Sequence, residues 1–284
     1  SVVNNQVVYD PSDYLNMTEG ETAQVILTYT MSDNDVADNN VLDPGNAGLT
    51  SNVLITVTGT NDGPVANVDT ASATENGASI TIDVLSNDSD IDDDDDASSL
   101  TVISATASSG ATITGLNVAG ASLNYDPDST SAFEYLAAGE TATDTITYTI
   151  EDSHGATSTS SVSVTITGTN DHPVANLDTG STTDDANLTI DVLANDTDVD
   201  LSDTHTVVEV SVTAGQGSAS VVNNQVVYDP SDYLNMTQGE TAQVTLTYTM
   251  SDNNGATSTS SASITVSGTN DGPVANVDTA SATE

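Results

Sequence analysis

Residues 146–150 read Ile146-Thr147-Tyr148-Thr149-Ile150. Apolar side chains at every second position give one dry face and one threonine face, the period of a half-buried β-strand and not of a helix. The pattern spreads outward. Ile80, Ile82 and Val84 alternate with Thr81 and Asp83, and Val162, Val164 and Ile166 alternate with Ser163 and Thr165. It returns as Leu188, Ile190 and Val192, then as Leu246, Tyr248 and Met250, then as Ile264 and Val266. Nothing of comparable length follows a helical period. Shorter strands near 100–103 and 123–125 bring the count to about seven per hundred residues, with turn formers such as Asp252-Asn253-Asn254-Gly255 between them. The pattern predicts an all-β chain of β-sandwich domains.

The domains are repeats. Gly-Thr-Asn-Asp, then one residue, then Pro-Val-Ala-Asn, occurs at 59–67, 168–176 and 268–276. Residues 1–31 recur at 220–250 with two changes, Glu19 against Gln238 and Ile26 against Thr245, and residues 59–75 recur unaltered at 268–284. This register predicts the C-terminal part of a repeat over 1–61, complete repeats over 62–170 and 171–270, and the start of another over 271–284. The chain reads as a window on a longer array whose duplicated unit was a pair of domains.

Composition limits the chemistry. No Lys or Arg stands against 43 carboxylates, a formal charge of −43, so nucleic acid and anionic membrane surfaces would be repelled and cationic partners recruited. Asp outnumbers Glu by 34 to 9, a skew that solubility does not require but that suits short loops converging on a metal ion. Acidity with few aromatics also marks disordered chains, and the strand periodicity argues against that reading. There is no Cys, hence neither disulfides nor thiolate metal sites.

In a seven-stranded sandwich of immunoglobulin type, strand parity decides which loops share an end. The incoming linker, the loop after the second strand and the last hairpin meet at the N-terminal pole. In the second repeat these carry Asn61 and Asp62, then Asp88, Asp90 and Asp92, then Asp152; in the third, Asn170 and Asp171, then Asp196, Asp198 and Asp200, then Asp252. The next linker supplies Asn270 and Asp271. The opposite pole collects Glu75 of the first turn and the Gly-Glu-Thr turn with Glu140 or its equivalents Glu21 and Glu240. Domains in series would bring both sets to one junction, where like charges cost several kcal/mol unless a cation separates them. Oxygen ligands in Asn-Asp-x-Asp-x-Asp spacing, without His or Cys, favour Ca²⁺ over zinc, copper or magnesium. Solvated turns are the competing reading, and the stronger one for Asp93 to Asp96, which extend the loop beyond its sister.

Catalysis has little support. His154, His172 and His205 are scattered, the many Ser and Thr have no base to activate them, and Glu134 with Glu140 sits in no marked cleft. Tyr29, Tyr148 and Tyr248 suit a tyrosine corner and a core position, while Tyr9, Tyr125 and Tyr228 precede Asp-Pro at strand ends. The first fragment's last hairpin is enlarged over 33–50, which reads as a lateral contact, an extra cation site or a neutral insertion.

The series Gly-Thr-Asn-Asp-x-Pro-Val-Ala, Ile-Asp-Val-Leu-x-Asn-Asp-x-Asp, Tyr-Asp-Pro, Thr-Tyr-Thr and Asp-x-x-Gly-Ala-Thr-Ser resembles the bacterial cadherin-like and immunoglobulin-like repeats, VCBS repeats included, of RTX-type adhesins and giant surface proteins. The resemblance covers essentially the whole chain. It implies tandem sandwiches stacked end to end as a rod, outside the cell, braced by calcium and serving as extender or fibre repeats. An adhesive module that binds polysaccharide, a surface or its own copies in bundles is the alternative it leaves. It also places Asp69 and Asp178 at an acid of the family's first strand, and matches the first-turn glutamate with Glu75, where the third repeat offers Asp184-Asp185.

Overall fold

The computed structural model describes residues 1–4, 6–31, 49–116, 120, 122–273 and 275–283. The enlarged hairpin lies outside the described residues except for Leu49 and Thr50. Among the described residues the chain runs through eighteen strands and three single 3-10 turns. The first segment holds β1 (Val2–Val3), β2 (Gln6–Val7), β3 (Thr22–Met31) and β4 (Leu49–Thr58). The second repeat holds β5 (Asp69–Thr74), β6 (Ile80–Ile82), β7 (Thr101–Ala107), β8 (Thr112–Thr114), β9 (Leu123–Asp126), β10 (Thr141–Glu151) and β11 (Thr157–Thr167). The third holds β12 (Asp178–Thr183), β13 (Leu188–Ile190), β14 (Thr206–Ala214), β15 (Ser218–Val222), β16 (Gln225–Asp229), β17 (Thr241–Ser251) and β18 (Thr257–Ser267). Each full repeat thus has the seven strands its periodicity predicts.

The chain divides into two compact units whose boundaries cut through the second repeat: one of residues 1–73, 77–130 and 143–165, the other of 74–76, 131–142 and 166–284. In the first unit β3 and β4 pair, among the described residues, only with each other, Thr22 opposite Thr58 through Met31 opposite Leu49. Beside them stands most of the second repeat, whose strands order as β5-β11-β10-β7 in one sheet and β6-β9-β8 in the other. The alternating residues of β10, Ile146, Tyr148 and Ile150, are fully buried with Leu100, Val102, Leu123, Tyr125, Val162 and Val164. Their threonine neighbours face outward, so the period of two is the sandwich's division between core and solvent.

The second unit holds the third repeat, ordered β12-β18-β17-β14 and β13-β16-β15. Its first and last strands run parallel, Asp178 opposite Ala262 through Thr183 opposite Ser267, while β17 and β18 form an eleven-residue antiparallel hairpin from Thr241–Ser267 to Ser251–Thr257. The core gathers Val192, Val226, Tyr228, Val244, Leu246, Tyr248, Ala262, Ile264 and Val266. Parallel pairing of the first strand with the last leaves the linker, the loop after the second strand and the last hairpin at one end. That end carries the acidic residues of linker, loop and hairpin.

Candidate metal centres

Asn-Asp-x-Asp-x-Asp folds as it does because aspartates accept hydrogen bonds from nearby backbone N–H groups and so favour tight turns. In the second unit Asp200 N donates to Asp198 Oδ1 at 3.1 Å, which coils the loop, and Asp171 N in the linker donates to Asp200 Oδ2 at 2.8 Å. Asn170 Nδ2 reaches Asp252 Oδ2 at 3.0 Å, while Asn254 N and Ala256 N donate to Asp252 Oδ1 at 2.8 and 2.9 Å. Linker, loop and hairpin are thereby tied together. Glu75 joins them: Thr169 donates to its Oε1 from backbone N at 2.6 Å and from Oγ1 at 3.1 Å.

Two triads result. Glu75, Asp171 and Asp200 have ligand atoms within 4.8 Å of one another, and so do Asp198, Asp203 and Asp252. Glu75 and Asp200 are only 1% and 2% exposed, yet Glu75 Oε2, Asn170 Oδ1, Asp171 Oδ2 and Asp200 Oδ1 are buried without hydrogen-bond partners. Such orphaned oxygens cost free energy unless a cation takes them up, so the donor set fits an oxygen-seeking ion. Burial pushes the Glu75 and Asp200 carboxyls up, with nearby acids adding to the rise. Burial also pushes Asp252 up, but its Asn170 and backbone donors hold it below the ordinary range. His205 Nε2 lies 3.1 Å from Asp198 Oδ2, so this histidine tethers a triad member and does not stand free in its loop.

The first unit repeats the plan. Asn61 Nδ2 donates to Asp152 Oδ2 at 3.0 Å, Asp62 N to Asp92 Oδ2 at 2.9 Å and Asp92 N to Asp90 Oδ1 at 3.1 Å. Asp90, Asp95 and Asp152 form a triad, and Asn61 Oδ1, Asp90 Oδ2 and Asp92 Oδ1 are buried without partners. Asp94, Asp95 and His154 make a further cluster of the same closeness.

Several expected positions go elsewhere. Glu140 Oε2 accepts from Ala137 N at 3.2 Å, and Glu21 and Glu240 take the same bond from Thr18 and Thr237. This glutamate caps its own turn and lies in none of the triads. Asp88 and Asp196 turn inward, accepting from Asn67 N at 2.7 Å and Asn176 N at 2.6 Å, beside the Tyr148 and Tyr248 hydroxyls. Asp69 stands with the first of these hydroxyls, its Oδ2 at 3.0 Å, and Asp178 lies close to the second. Asn270 and Asp271 are in the described chain but in no triad. For the first-turn acid of the third repeat the structure selects Asp184, whose Oδ1 takes Thr269 N at 3.0 Å and Thr269 Oγ1 at 2.9 Å, as Glu75 does with Thr169.

Asp95, which the sequence groups with the solvated turn of Asp93 to Asp96, and Asp203, which it does not single out, both join triads. Both lie three positions after the last acid of the alternating run, Asp92 and Asp200. That shared spacing is a signal that the string of acids from Asp92 to Asp96 hides.

A family model described as the bacterial cadherin-like domain matches residues 61–168 and 170–268. A search of curated proteins finds no match. Among solved structures the chain is similar to human desmocollin-1 ectodomain, at 14% identity and a TM-score of 0.43, covering 93% of this chain and 49% of that one, so it spans about half of that ectodomain. Mouse protocadherin-24 EC1-3 aligns at 18% identity and a TM-score of 0.46, covering 86% and 80%. Mouse cadherin-23 EC22-24 aligns at 13% identity and a TM-score of 0.50, covering 93% and 78%, which speaks to the fold. With family matches over both full repeats, each a seven-stranded sandwich, this chain belongs to the bacterial cadherin-like domain family.

Proposed function

We propose that the chain is a run of calcium-braced extender repeats from a long extracellular surface adhesin or filament, with repeat boundaries at 61/62, 170/171 and 270/271. The observation that carries the reading is the set of buried, partnerless oxygens on Glu75, Asn170, Asp171 and Asp200, held in place by backbone donors. Glu75, Asp171 and Asp200 would hold one Ca²⁺, and Asp198, Asp203 and Asp252 another. Bound calcium would neutralise the crowded carboxylates and fix linker to loop, turning a flexible joint into a stiff one. The near-identity of residues 1–31 with 220–250 and of 59–75 with 268–284 favours a spacer, since a specialised ligand site would set one copy apart from the other. Partners under this reading are calcium and neighbouring repeats, with bundling of copies as a further step, and no catalytic role.

Thermal unfolding followed by far-UV circular dichroism in about 10 mM calcium, about 10 mM magnesium and EDTA tests this. Calcium alone raises Tm by more than ten degrees, and Asp200→Asn removes a large part of that rise. Glu140→Gln leaves it intact, because Glu140 caps its own turn. Coincident curves in the three media would sink the proposal.

A further inference from the structure

Tyr148 and Tyr248, each in a Thr-Tyr-Thr motif, sit among more acceptors than one hydrogen can serve. Tyr148 Oη lies 2.7 Å from Asn67 O, 3.0 Å from Asp69 Oδ2 and 3.4 Å from Val84 O. Asp88, 8% exposed, gives Oδ1 to the Asn67 N–H, while its buried Oδ2 has no partner. The third repeat builds the same arrangement independently. Tyr248 Oη has Asn176 O at 2.9 Å, Val192 O at 3.2 Å and both Asp196 oxygens at 3.1 Å, and the neighbouring Asp178 Oδ2 is buried without a partner.

Two carboxylates and two peptide carbonyls face one phenol hydrogen; the Asn67 N–H serves one Asp88 oxygen and the Asn87 amide serves Asp69, but no cation answers the two negative charges or the orphaned Asp88 oxygen. A proton shared by the carboxylates would answer one charge but neither the surplus carbonyl lone pairs nor the second charge. A hard cation answers all of them, because carboxylate and peptide oxygens together are what calcium takes at its flexible coordination number. An open groove lined by Asp69, Thr81, Ile82 and Asp83 runs past the first of these carboxylates.

We propose that Asp69 and Asp88 with the Asn67 and Val84 carbonyls, and likewise Asp178 and Asp196 with the Asn176 and Val192 carbonyls, form a calcium site inside each repeat beneath the buried tyrosine hydroxyl. These sites share no residue with the triads. They load separately and brace each sandwich where its first strand leaves the linker.

Terbium tests the proposal in the full chain. It takes calcium's oxygen ligands, and its luminescence is sensitised by a tyrosine within a few ångströms. The chain has nine Tyr and no Trp. Changing Tyr148 and Tyr248 together to Phe lowers the sensitised emission by more than half at saturating terbium, while the same change at Tyr125 and Tyr228 does not. Calorimetric titration with calcium, on chains checked for folding by circular dichroism, then shows about two fewer ions bound when Asp88→Asn and Asp196→Asn are combined. Asp69→Asn with Asp178→Asn, which keeps side-chain volume, gives the same loss. Emission insensitive to the Tyr148 and Tyr248 changes, or an unchanged calcium count in both Asn pairs, overturns the inference. Failure of the triads to bind calcium does not touch it: Asp200→Asn, which disables the triad of Glu75, Asp171 and Asp200, leaves the tyrosine-sensitised signal.

Discussion

Asp144 occupies a place in β10 that the third repeat gives to Val244, and both are buried, at 1% and 0% exposure. A buried carboxylate survives there because Ser108 Oγ donates at 2.6 Å, Ser109 N at 3.0 Å and Tyr125 Oη at 2.8 Å, with Ser109 Oγ as a fourth donor. In the third repeat, where the carboxylate is missing, Tyr228 Oη turns to Gln216 O at 2.7 Å. Asp144→Val, natural as it looks from the sister repeat, therefore strands several donors and costs about 2–4 kcal/mol, read from urea midpoints. Burial pushes the Asp144 carboxyl up, but the Ser108, Ser109 and Tyr125 donors outweigh it and leave its pKa below the usual carboxylate range. A depressed folded pKa means that the stabilisation is present above the unfolded value of about 4 and is lost as pH falls through the folded one. The gap between wild type and variant consequently narrows in strong acid, and a gap constant down to about pH 2 would show that the carboxylate charge contributes nothing.

The strands were legible because alternation is local: Ile146, Tyr148 and Ile150 declare their buried face without reference to anything distant. The acids were less so. Asp88, Asp90 and Asp92 alternate identically in the sequence, but Asp88 turns toward Tyr148, while Asp90 joins a triad and Asp92 receives the linker's Asp62 N–H. Which way each points depends on turn hydrogen bonds that residue type alone does not encode. The glycine that opens Gly-Thr-Asn-Asp is the converse case, an unremarkable letter with a strict packing reason. A Cβ on Gly168 would stand 2.3 Å from Leu136 O and 2.4 Å from Ala137 O, and Gly59 and Gly268 meet Thr18 O and Thr237 O at 2.2 and 2.4 Å. The contacts are backbone, and Gly168 also donates to Glu140 O at 2.8 Å and accepts from Gly139 N at 3.0 Å, so neither side can give way. Gly168→Ala pries the last strand's exit from the Gly-Glu-Thr turn and costs about 3 kcal/mol or more, as overpacking against rigid atoms does. It also weakens calcium binding by displacing Thr169, which positions Glu75. An Ala variant with wild-type Tm and calcium affinity would refute that account.

Across the whole chain the decisive property is charge without compensation, −43 with no Lys or Arg. Burial, reinforced by neighbouring acids, pushes the carboxyls of Asp69, Glu75, Asp88, Asp90, Asp178 and Asp200 above their ordinary values. An acid whose pKa is raised by folding holds its proton more tightly in the folded state. Its contribution is fully present below the unfolded pKa and is lost as pH rises through the folded one. Without metal, then, Tm rises as pH is lowered from about 7 to about 5, because protons relieve the crowding. With about 10 mM calcium the slope reverses: a site with a Kd of about 10⁻⁴ M adds roughly 2.7 kcal/mol at neutral pH, and acidification removes it by protonating the ligands. Salt separates repulsion from ligation, since monovalent ions screen exposed carboxylates and so raise Tm in EDTA more than in calcium. Differential scanning calorimetry across pH in both media reads the two slopes. If both fall with acid, the buried carboxylates are held by hydrogen bonds alone and their crowding costs the folded chain little. If both rise, calcium does not reach them, and the acidic loops owe their shape to backbone donors.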